Sequence, residues 1–591
     1  MISGGLHTVF ARLFVRGLVA AGVRAAIVSP GSRSTPLALA FASERDLDVI
    51  VSIDERVAGF MALGRARVTG EPTVVVTTSG TAGAHHHPAV LEADRAKIPL
   101  IVVTADRPPE LAHAHASQTV DQTKLFGAHV RLSLDLGLPS EASLAAAQRI
   151  AAHAALASLG PDPGPVHVNA PFRKPLEPTA DDGAEPWTAR AAAVFARPAP
   201  RVFAGAARAS EAAVSEVAAS LRAAARPLVV LGPRWGSAGV PAAERDRALS
   251  AAASRLAALG IAVAAEATSG ALDAESILPG AALAETGALT GALAPDVIVA
   301  AGMPPVSPTL AALAAPAKIV VAPAGFPDPE SVATALVHGD AAELLGRVAS
   351  GLAASPPWRA YRERLAAASA AGAGALADEA GPDTLSEPFV LASVADLLPR
   401  GSTLAIGNSL VVRDLDLFGA PKLRGVTVLH QRGAAGIDGL VAGAVGARTA
   451  VAPSSPVALV LGDVSALHDV GALAALRDVR SVLAIVVVDN AGGRIFESLP
   501  VAKQAPLGAA FERLFLTPPP PFLEGAARAF GVGYTRIEHP HMLAPALATA
   551  LATQAASILH VLVPPNDGTS RRARAKSRAK EAAAQELARH G

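Results

Sequence analysis

The chain has no cysteine among its 591 residues. That excludes disulfides, thiolate zinc sites, iron–sulfur ligation and cysteine nucleophiles. It also has no net charge, because Lys plus Arg and Asp plus Glu both number 51. Nothing global therefore draws it to nucleic acid or to a membrane surface. Hydrophobic residues make up 51% of the chain and the mean hydropathy is +0.38. That content is dispersed Ala, Val and Leu, and no uncharged apolar run reaches the roughly 18 residues of a transmembrane helix. The N-terminal stretch HTVFARLFVRGLVAAGV is broken by Arg12 and Arg16 and lacks a cationic leader. It fits an amphipathic helix rather than a signal peptide, so a cytoplasmic location is expected. A G-x-x-x-x-G-K-[ST] nucleotide loop is also missing.

What the chain does contain is alternation. Short β-branched runs alternate with Ala- and Leu-rich helical stretches, the pattern of βαβ units on parallel sheets. The length is too great for one hydrophobic core. The expected fold class is α/β, with three α/β domains. Residues 1–180 carry the strand candidates AAIVSP, DVIVSID, TVVVTTSG, LIVVTAD and VHVNAP. Residues 200–355 carry PLVVLGP, IAVAAEA, DVIVAAG and KIVVAPAG. Residues 384–570 carry TLAIGNS, VTVLHQRG, VALVLGD, SVLAIVVVDN and ILHVLVPP. Proline-bearing residues 179–200 and the Ala-rich helical stretch 355–383 read as linkers. The basic run RRARAKSRAK begins a C-terminal segment, 571–591, that reads as a solvated helix rather than a nucleic-acid patch.

Two strand ends stand out. Gly462-Asp463 closes one apolar run, and Asn490-x-Gly492-Gly493 closes the next, with Asp463 and Asn490 27 positions apart. One strand–helix–strand step therefore puts two oxygen ligands at one sheet edge. Carboxylate, amide and carbonyl oxygens suit Mg²⁺, and the helix start after Asp463 offers N–H groups to a diphosphate. Gly-Asp alone reads better as an ordinary turn; Asn-x-Gly-Gly at this spacing reverses that preference towards the metal. At the other end of the chain, SPGSRS links a strand to a helix and resembles an anion-holding loop.

Gly-Asp followed about 27 residues later by Asn resembles the signature of thiamine diphosphate enzymes. The resemblance implies Mg²⁺, with Mn²⁺ as a substitute, held by Asp463, Asn490 and the Gly492 carbonyl, with Ser465 beside the cofactor. It implies that Glu55, in DERVAGFMALG, shares a proton with the aminopyrimidine and is the catalytic carboxylate. It also implies a homodimer or homotetramer with sites between subunits. The motifs SPGSRSTPLALAF, DERVAGFMALG, TTSGTA, IPLIVVTADRPPEL, SQTVDQ, GNSLVVRDLD, QRGAAGIDG and GGRIFESLP occur in this order. Together they resemble the 2-succinyl-5-enolpyruvyl-6-hydroxy-3-cyclohexene-1-carboxylate synthase family of menaquinone biosynthesis. That family decarboxylates 2-oxoglutarate and adds the resulting carbanion 1,4 to isochorismate.

Both substrates are dianions, and arginine suits bidentate carboxylate recognition. Arg33, Arg107, Arg413 and Arg432 are the candidate clamps, with Ser32, Gln118 and Ser409 as neutral partners. Ile437 is the expected prop under the bent cofactor, and Ile495, Phe496 and Leu499 the expected cavity wall. Each of these apolar residues also reads as plain core. Two stretches depart from the family. Pro308 and Thr309 stand where a basic residue is expected, and His85-His86-His87 replaces an Asn and an aromatic. Consecutive helical residues point about 100° apart, so the histidines read as solvated or cofactor-proximal rather than as a metal site. The alternatives are an acetolactate synthase-like carboligase or a catalytically inactive relative.

Overall fold

The computed structural model describes residues 5–178, 185–236, 238–503 and 508–589. Among these described residues eighteen strands form three six-stranded sheets, and every strand pairing is parallel. The first sheet comprises β1 (Ala25–Val28), β2 (Asp48–Val51), β3 (Thr73–Thr77), β4 (Leu100–Asp106), β5 (Leu132–Asp135) and β6 (Pro165–Pro171). The second comprises β7 (Pro227–Leu231), β8 (Ala262–Ala265), β9 (Leu278–Pro279), β10 (Val297–Ala301), β11 (Ala317–Ala322) and β12 (Ala335–His338). The third comprises β13 (Thr403–Ile406), β14 (Thr427–His430), β15 (Val457–Gly462), β16 (Leu483–Asp489), β17 (Gly533–Ile537) and β18 (Ala556–Leu562).

The first and third sheets share one topology, β2-β1-β3-β4-β6-β5 and β14-β13-β15-β16-β18-β17. The second runs β12-β11-β10-β7-β8-β9, a doubly wound order. Central strands such as β3 are buried at every position, because helices cover both faces of a parallel sheet. Every expected strand is present. The four that the pattern missed, β5, β9, β12 and β17, are all edge strands with mixed burial.

The helices that bear on function are α1 (Leu6–Ala20), α2 (Glu55–Thr69), α3 (His87–Ala96), α4 (Pro356–Glu379), α5 (Glu387–Leu397), α6 (Leu410–Asp414), α7 (Leu440–Arg448), α8 (Asp463–His468) and α9 (Gly568–Arg589). As expected of an amphipathic helix, α1 buries Val9, Phe10, Leu13, Phe14 and Leu18. None of the described helices is long and apolar enough to cross a membrane.

The chain divides into two compact units. The first holds residues 1–206, 236–242 and 432–451, and the second holds 207–235, 243–431 and 452–591. In the first unit α7 lies directly on α2. A Cβ added at Gly64 would come within 2.0 Å of the Gly443 carbonyl oxygen, and one at Gly446 within 1.9 Å of the Met61 oxygen. Within the stretch read as a linker, Trp187, Ala191 and Val194 are buried in the first unit's core; residues 179–184 lie outside the described residues. In the second unit one apolar core runs under the second and third sheets, joining Val229 and Val299 to Val460 and Val486.

The C-terminal helix corrects the solvated reading. Ala575, Ala579 and Ala583 are buried, and α9 packs along α4, itself part of the other supposed linker. Alanines four apart make a flat strip on one helix face. The flanking arginines meet acids on α4: Arg578 pairs with Asp378 at 3.0 Å and Glu379 at 3.1 Å.

The α2–α7 approach leaves no room for a methyl group. Gly64→Ala should cost about 1–3 kcal/mol of overpacking strain, read as a lower urea midpoint. An unchanged midpoint would contradict the close approach.

Candidate functional site

In the first unit the expected residues sit on loops at the C-terminal ends of the strands. Glu55 opens α2 just past β2 and is half-buried. Its neighbour Asp54 caps the helix, accepting the Arg56 N–H at 2.8 Å and the Val57 N–H at 3.2 Å, so the cap frees Glu55 from that duty. Two exposed apolar side chains precede it, Val51 and Ile53, at 68% and 85% exposure.

The SPGSRS loop after β1 is pressed against the loop after β3, since a Cβ at Gly31 would lie 2.3 Å from Thr78 Cβ. Ser32 is exposed. Arg33 is buried; its Nη1 donates to the Phe172 carbonyl at 2.7 Å, while Nε has no protein partner. Burial, and then the nearby Arg107 guanidinium, pulls Arg33 below the usual arginine range. Arg107 follows β4 and donates from Nη2 to the Ser117 carbonyl at 3.0 Å. Gln118, in a left-handed conformation with φ 56°, donates from Nε2 to the Ser79 carbonyl, and Ser79 Oγ donates back to the Gln118 carbonyl, both at 3.0 Å. A cavity of about 540 Å³ opens beside Arg107, lined also by Asp106, His113, Gln122 and Asn169.

Arg432 and Ile437 belong to this unit as well, both half-buried. Their loop is fixed by Glu92 of α3, which is 3% exposed. Its carboxylate accepts the Gly433 N–H at 3.0 Å, the Ala434 N–H at 2.6 Å and Arg67 Nη2 at 2.9 Å. The motifs did not single out Glu92. Its signal is periodicity: it shares the buried face of α3 with Ala89, Ala93 and Ala96.

In the second unit β15 and β16 pair with Gly462 opposite Val488, so Asp463 and Asn490 emerge side by side. Both are buried. Asp463 accepts the Val464 N–H at 2.9 Å and the Gly492 N–H at 2.7 Å. Burial, and next the Asp489 carboxylate, pushes Asp463 up to about 7. Burial also acts on Asp489, but hydrogen bonds from His560 Nε2 at 2.8 Å and the Ala491 N–H at 3.0 Å outweigh it and hold Asp489 low. Asn490 Nδ2 donates to Glu387 Oε1, which leaves its Oδ1 as the outward acceptor. Gly492 has φ 116°, and a Cβ there would lie 2.3 Å from the Leu516 oxygen, so only glycine fits. No group of three or more His, Cys, Asp or Glu side chains suited to a metal occurs among the described residues. A cation here would rely on Asp463, the Asn490 amide and peptide oxygen. A buried carboxylate whose deprotonation is disfavoured for want of positive charge fits a hard divalent ion.

Ser465 is buried on α8. Ser409 has φ 68°, and its carbonyl accepts Arg413 Nη1 at 2.6 Å. Burial lowers Arg413, partly opposed by Asp414, Glu266 and Asp416. Ile495 and Phe496 are half-buried on the turn after Gly493, with Phe496 edge-on to Phe515 at 5.7 Å; Leu499 is 42% exposed. Thus Ser32, Arg33, Glu55, Arg107, Gln118, Arg432 and Ile437 lie in one unit and the other nine expected residues in the second. Pro308 and Thr309 are exposed, on a short helix entered through amides that Glu266 accepts at 2.8 and 2.7 Å.

The three histidines occupy different surroundings. His85 is exposed and His87 rests on Phe126 at 5.6 Å. His86 is fully buried beside Gly59 of α2 and close to the Glu55 backbone, which corrects the solvated expectation for it. Burial pulls His86 down to about 4, and His167 likewise to about 4. The unfolded chain takes up these protons from about pH 6.5, whereas the folded chain resists them to about pH 4. Their stability is thus complete above pH 6.5 and is lost as pH falls towards 4, by at most on the order of 3 kcal/mol each. Asp463, pushed up to about 7, contributes the opposite slope in this range, so the difference between proteins is what reports His86: in urea unfolding between pH 7.5 and 5, His86→Leu should lose less stability than the parent. Equal slopes would refute the assignment to His86.

Two family models match the chain. Residues 8–125 match the thiamine pyrophosphate enzyme N-terminal TPP binding domain, and residues 422–561 match the C-terminal TPP binding domain. A 2-succinyl-5-enolpyruvyl-6-hydroxy-3-cyclohexene-1-carboxylate synthase of Sorangium cellulosum is 45% identical, over 97% of this chain and 95% of its own. A synthase of the same name from Haloarcula marismortui is 38% identical over 95% of this chain and 96% of its own, and one from Geobacillus kaustophilus is 38% identical over 89% and 90%. A solved structure described as a thiamin diphosphate-dependent enzyme from Mycobacterium smegmatis superimposes with a TM-score of 0.68 over 95% of this chain and 100% of that one, at 19% identity, which is a likeness of fold.

Proposed function

Because the chain belongs to the 2-succinyl-5-enolpyruvyl-6-hydroxy-3-cyclohexene-1-carboxylate synthase family of thiamine diphosphate enzymes, we propose that it joins 2-oxoglutarate, with loss of CO₂, to isochorismate in menaquinone biosynthesis. In this reading residues 1–180 form the pyrimidine-binding domain, 200–355 the middle domain and 384–570 the diphosphate- and metal-binding domain. The observation that carries the reading is the side-by-side emergence of Asp463 and Asn490 from adjacent strands, with the Gly492 amide on the carboxylate.

Thiamine diphosphate supplies, when bound, the electron sink that decarboxylation of a 2-oxo acid requires. Asp463, Asn490 and the Gly492 carbonyl would hold Mg²⁺, and Ser465 would donate to the diphosphate. Glu55 would share a proton with the aminopyrimidine ring nitrogen, and Ile437 would support the cofactor. Arg33, with its unpartnered Nε, and Arg107 receive substrate carboxylate together with Ser32 and Gln118. Arg413, Arg432 and Ser409 receive the remaining carboxylate groups. Ile495, Phe496 and Leu499 exclude water from the reacting carbons. The exposed Val51 and Ile53 just ahead of Glu55 leave an apolar edge for another surface to cover. This supports assembly of at least two copies with shared sites; a cytoplasmic location belongs to the same proposal.

Isochorismate consumption should require 2-oxoglutarate, thiamine diphosphate and Mg²⁺ together, and the active species should have a light-scattering mass of two chains or more. Carboligation of pyruvate alone would favour an acetolactate synthase-like enzyme instead. Glu55→Gln should lower turnover by about 10²–10⁴-fold while cofactor binding, measured calorimetrically, survives; near-normal turnover would remove Glu55 from its role. Arg33→Ala should raise the substrate KM by about 10–100-fold, the value of one charge-assisted clamp, with little change in the cofactor requirement. The opposite pattern would return the SPGSRS loop to a phosphate-binding role.

A further inference from the structure

We infer that the N-terminal end of the C-terminal helix braces the metal centre: Arg572, acting through Glu387, orients the Asn490 amide so that its oxygen faces the cation. This rests on the reading of Asp463, Asn490 and Gly492 as the cation's ligands.

The side chain of asparagine is ambivalent. One end accepts and the other donates, and only the oxygen end binds a cation. Something must take the NH₂ group on the far side. Here that acceptor is Glu387, the first residue of α5, whose side chain is 7% exposed and whose Oε1 accepts Asn490 Nδ2. A lone carboxylate buried this deeply is costly unless paired. Its counter-charge comes from the far end of the chain. Arg572 Nη2 donates to Glu387 Oε2 at 2.5 Å, and the same guanidinium clasps Asp414, with Nε at 2.6 Å and Nη2 at 2.5 Å from its two oxygens. Asp414 is fully buried and adjoins Arg413.

Two further observations put the start of α9 in this role. Gly568, its first residue, has no room for a side chain: a Cβ there would lie 2.1 Å from Glu387 Oε2 and 2.9 Å from Arg572 Nη1. The helix end therefore sits directly on the ion pair. Thr569 Oγ1 donates to Glu497 Oε2 at 3.0 Å, Glu497 pairs with Arg494 Nη1 at 2.7 Å, and Arg494 Nε donates to the Asn490 carbonyl at 3.0 Å. The N-terminal end of the helix thus holds both the side chain and the main chain of Asn490. A partner that orients a ligand in this way typically changes metal affinity about 10–100-fold when removed. Arg572 and Glu387 are positioning residues, and neither is placed on a substrate or on the cation.

Mn²⁺ serves as the probe, with free ion followed by electron paramagnetic resonance in the presence of thiamine diphosphate and without substrate. Glu387→Leu removes the acceptor while Arg572 stays paired with Asp414, so this variant keeps the fold testable even where Arg572→Ala unfolds. Its Mn²⁺ dissociation constant should rise by about 10–100-fold. Glu387→Gln keeps an oxygen facing Asn490 and should stay within about threefold of the parent. Asp463→Ala should abolish tight Mn²⁺ binding. Circular dichroism melts of the metal-free proteins check that each is folded. A folded Glu387→Leu protein that binds Mn²⁺ like the parent, while Asp463→Ala does not, would overturn the brace. Equal losses in the Leu and Gln variants would overturn the orienting role as well. Parental Mn²⁺ binding by Asp463→Ala would instead remove the metal reading on which the brace depends.

Discussion

Two parallel strands that end one residue apart are the constraint on which the third sheet's chemistry depends. With Gly462 opposite Val488, Asp463 and the Asp489-Asn490 pair must emerge together at a buried edge. Two carboxylates, one buried and one half-buried, then lie close together, and both cannot ionise freely there. The surroundings separate them. His560 and the Ala491 amide hold Asp489 low, whereas Asp463 is pushed up to about 7. The charge rests on the residue turned to His560, and the residue turned to the Gly492 amide is left short of positive charge. Divergent environments for paired carboxylates are how one site assigns two roles.

The first and third sheets repeat one strand order with different loop chemistry. Loops of the first end in arginine and glutamate, and those of the third in aspartate, asparagine and glycine. What distinguishes them further is the segment 432–451, which follows a strand of the third sheet yet belongs to the compact unit of the first. Gly64, Gly443 and Gly446 allow α2 and α7 to meet at backbone distance, and Glu92 holds the preceding loop by its amides. Arg432 and Ile437 are therefore placed by the helix that starts at Glu55 and by its neighbour α3, rather than by the strand that leads to them.

How much of this was legible in the sequence depended on the range of the interactions. Central strands announce themselves because both faces are buried, so VALVLG and LAIVVVD read as strands from composition alone. Edge strands such as Leu132–Asp135 and Gly533–Ile537 are half solvated, lose that contrast and went unread. Asp463, Asn490 and Gly492 were legible because a fixed step of strand, helix and strand links them. Glu387 was not: in SEPFV it looks like an ordinary first-turn acid behind a serine cap. Arg572 was hidden more thoroughly. Within RRARAKSRAK it resembles its exposed neighbours, and only partners 158 and 185 positions away distinguish it. Its place on the helix strip with Ala575, Ala579 and Ala583 was the available clue.

A chain without cysteine must hold its functional loops by other means, and buried acids do this in both compact units. Glu92 binds the amides of Gly433 and Ala434, Glu266 those of Val306 and Ser307, and Asp463 those of Val464 and Gly492. Hydrogen bonds to a charged acceptor contribute about 1.5–3 kcal/mol each, enough to fix a loop, but each buried charge needs a counter-charge to be tolerated. Arg67 serves Glu92, the Arg413 guanidinium interacts with Glu266, and Arg572 serves Glu387. Asp463 is the exception, met by peptide N–H groups and an adjoining carboxylate. Were the same device used there for loop anchoring alone, an arginine would complete it as at Glu92. In the proposed reading a cation completes at Asp463 the pattern that arginine completes at Glu92.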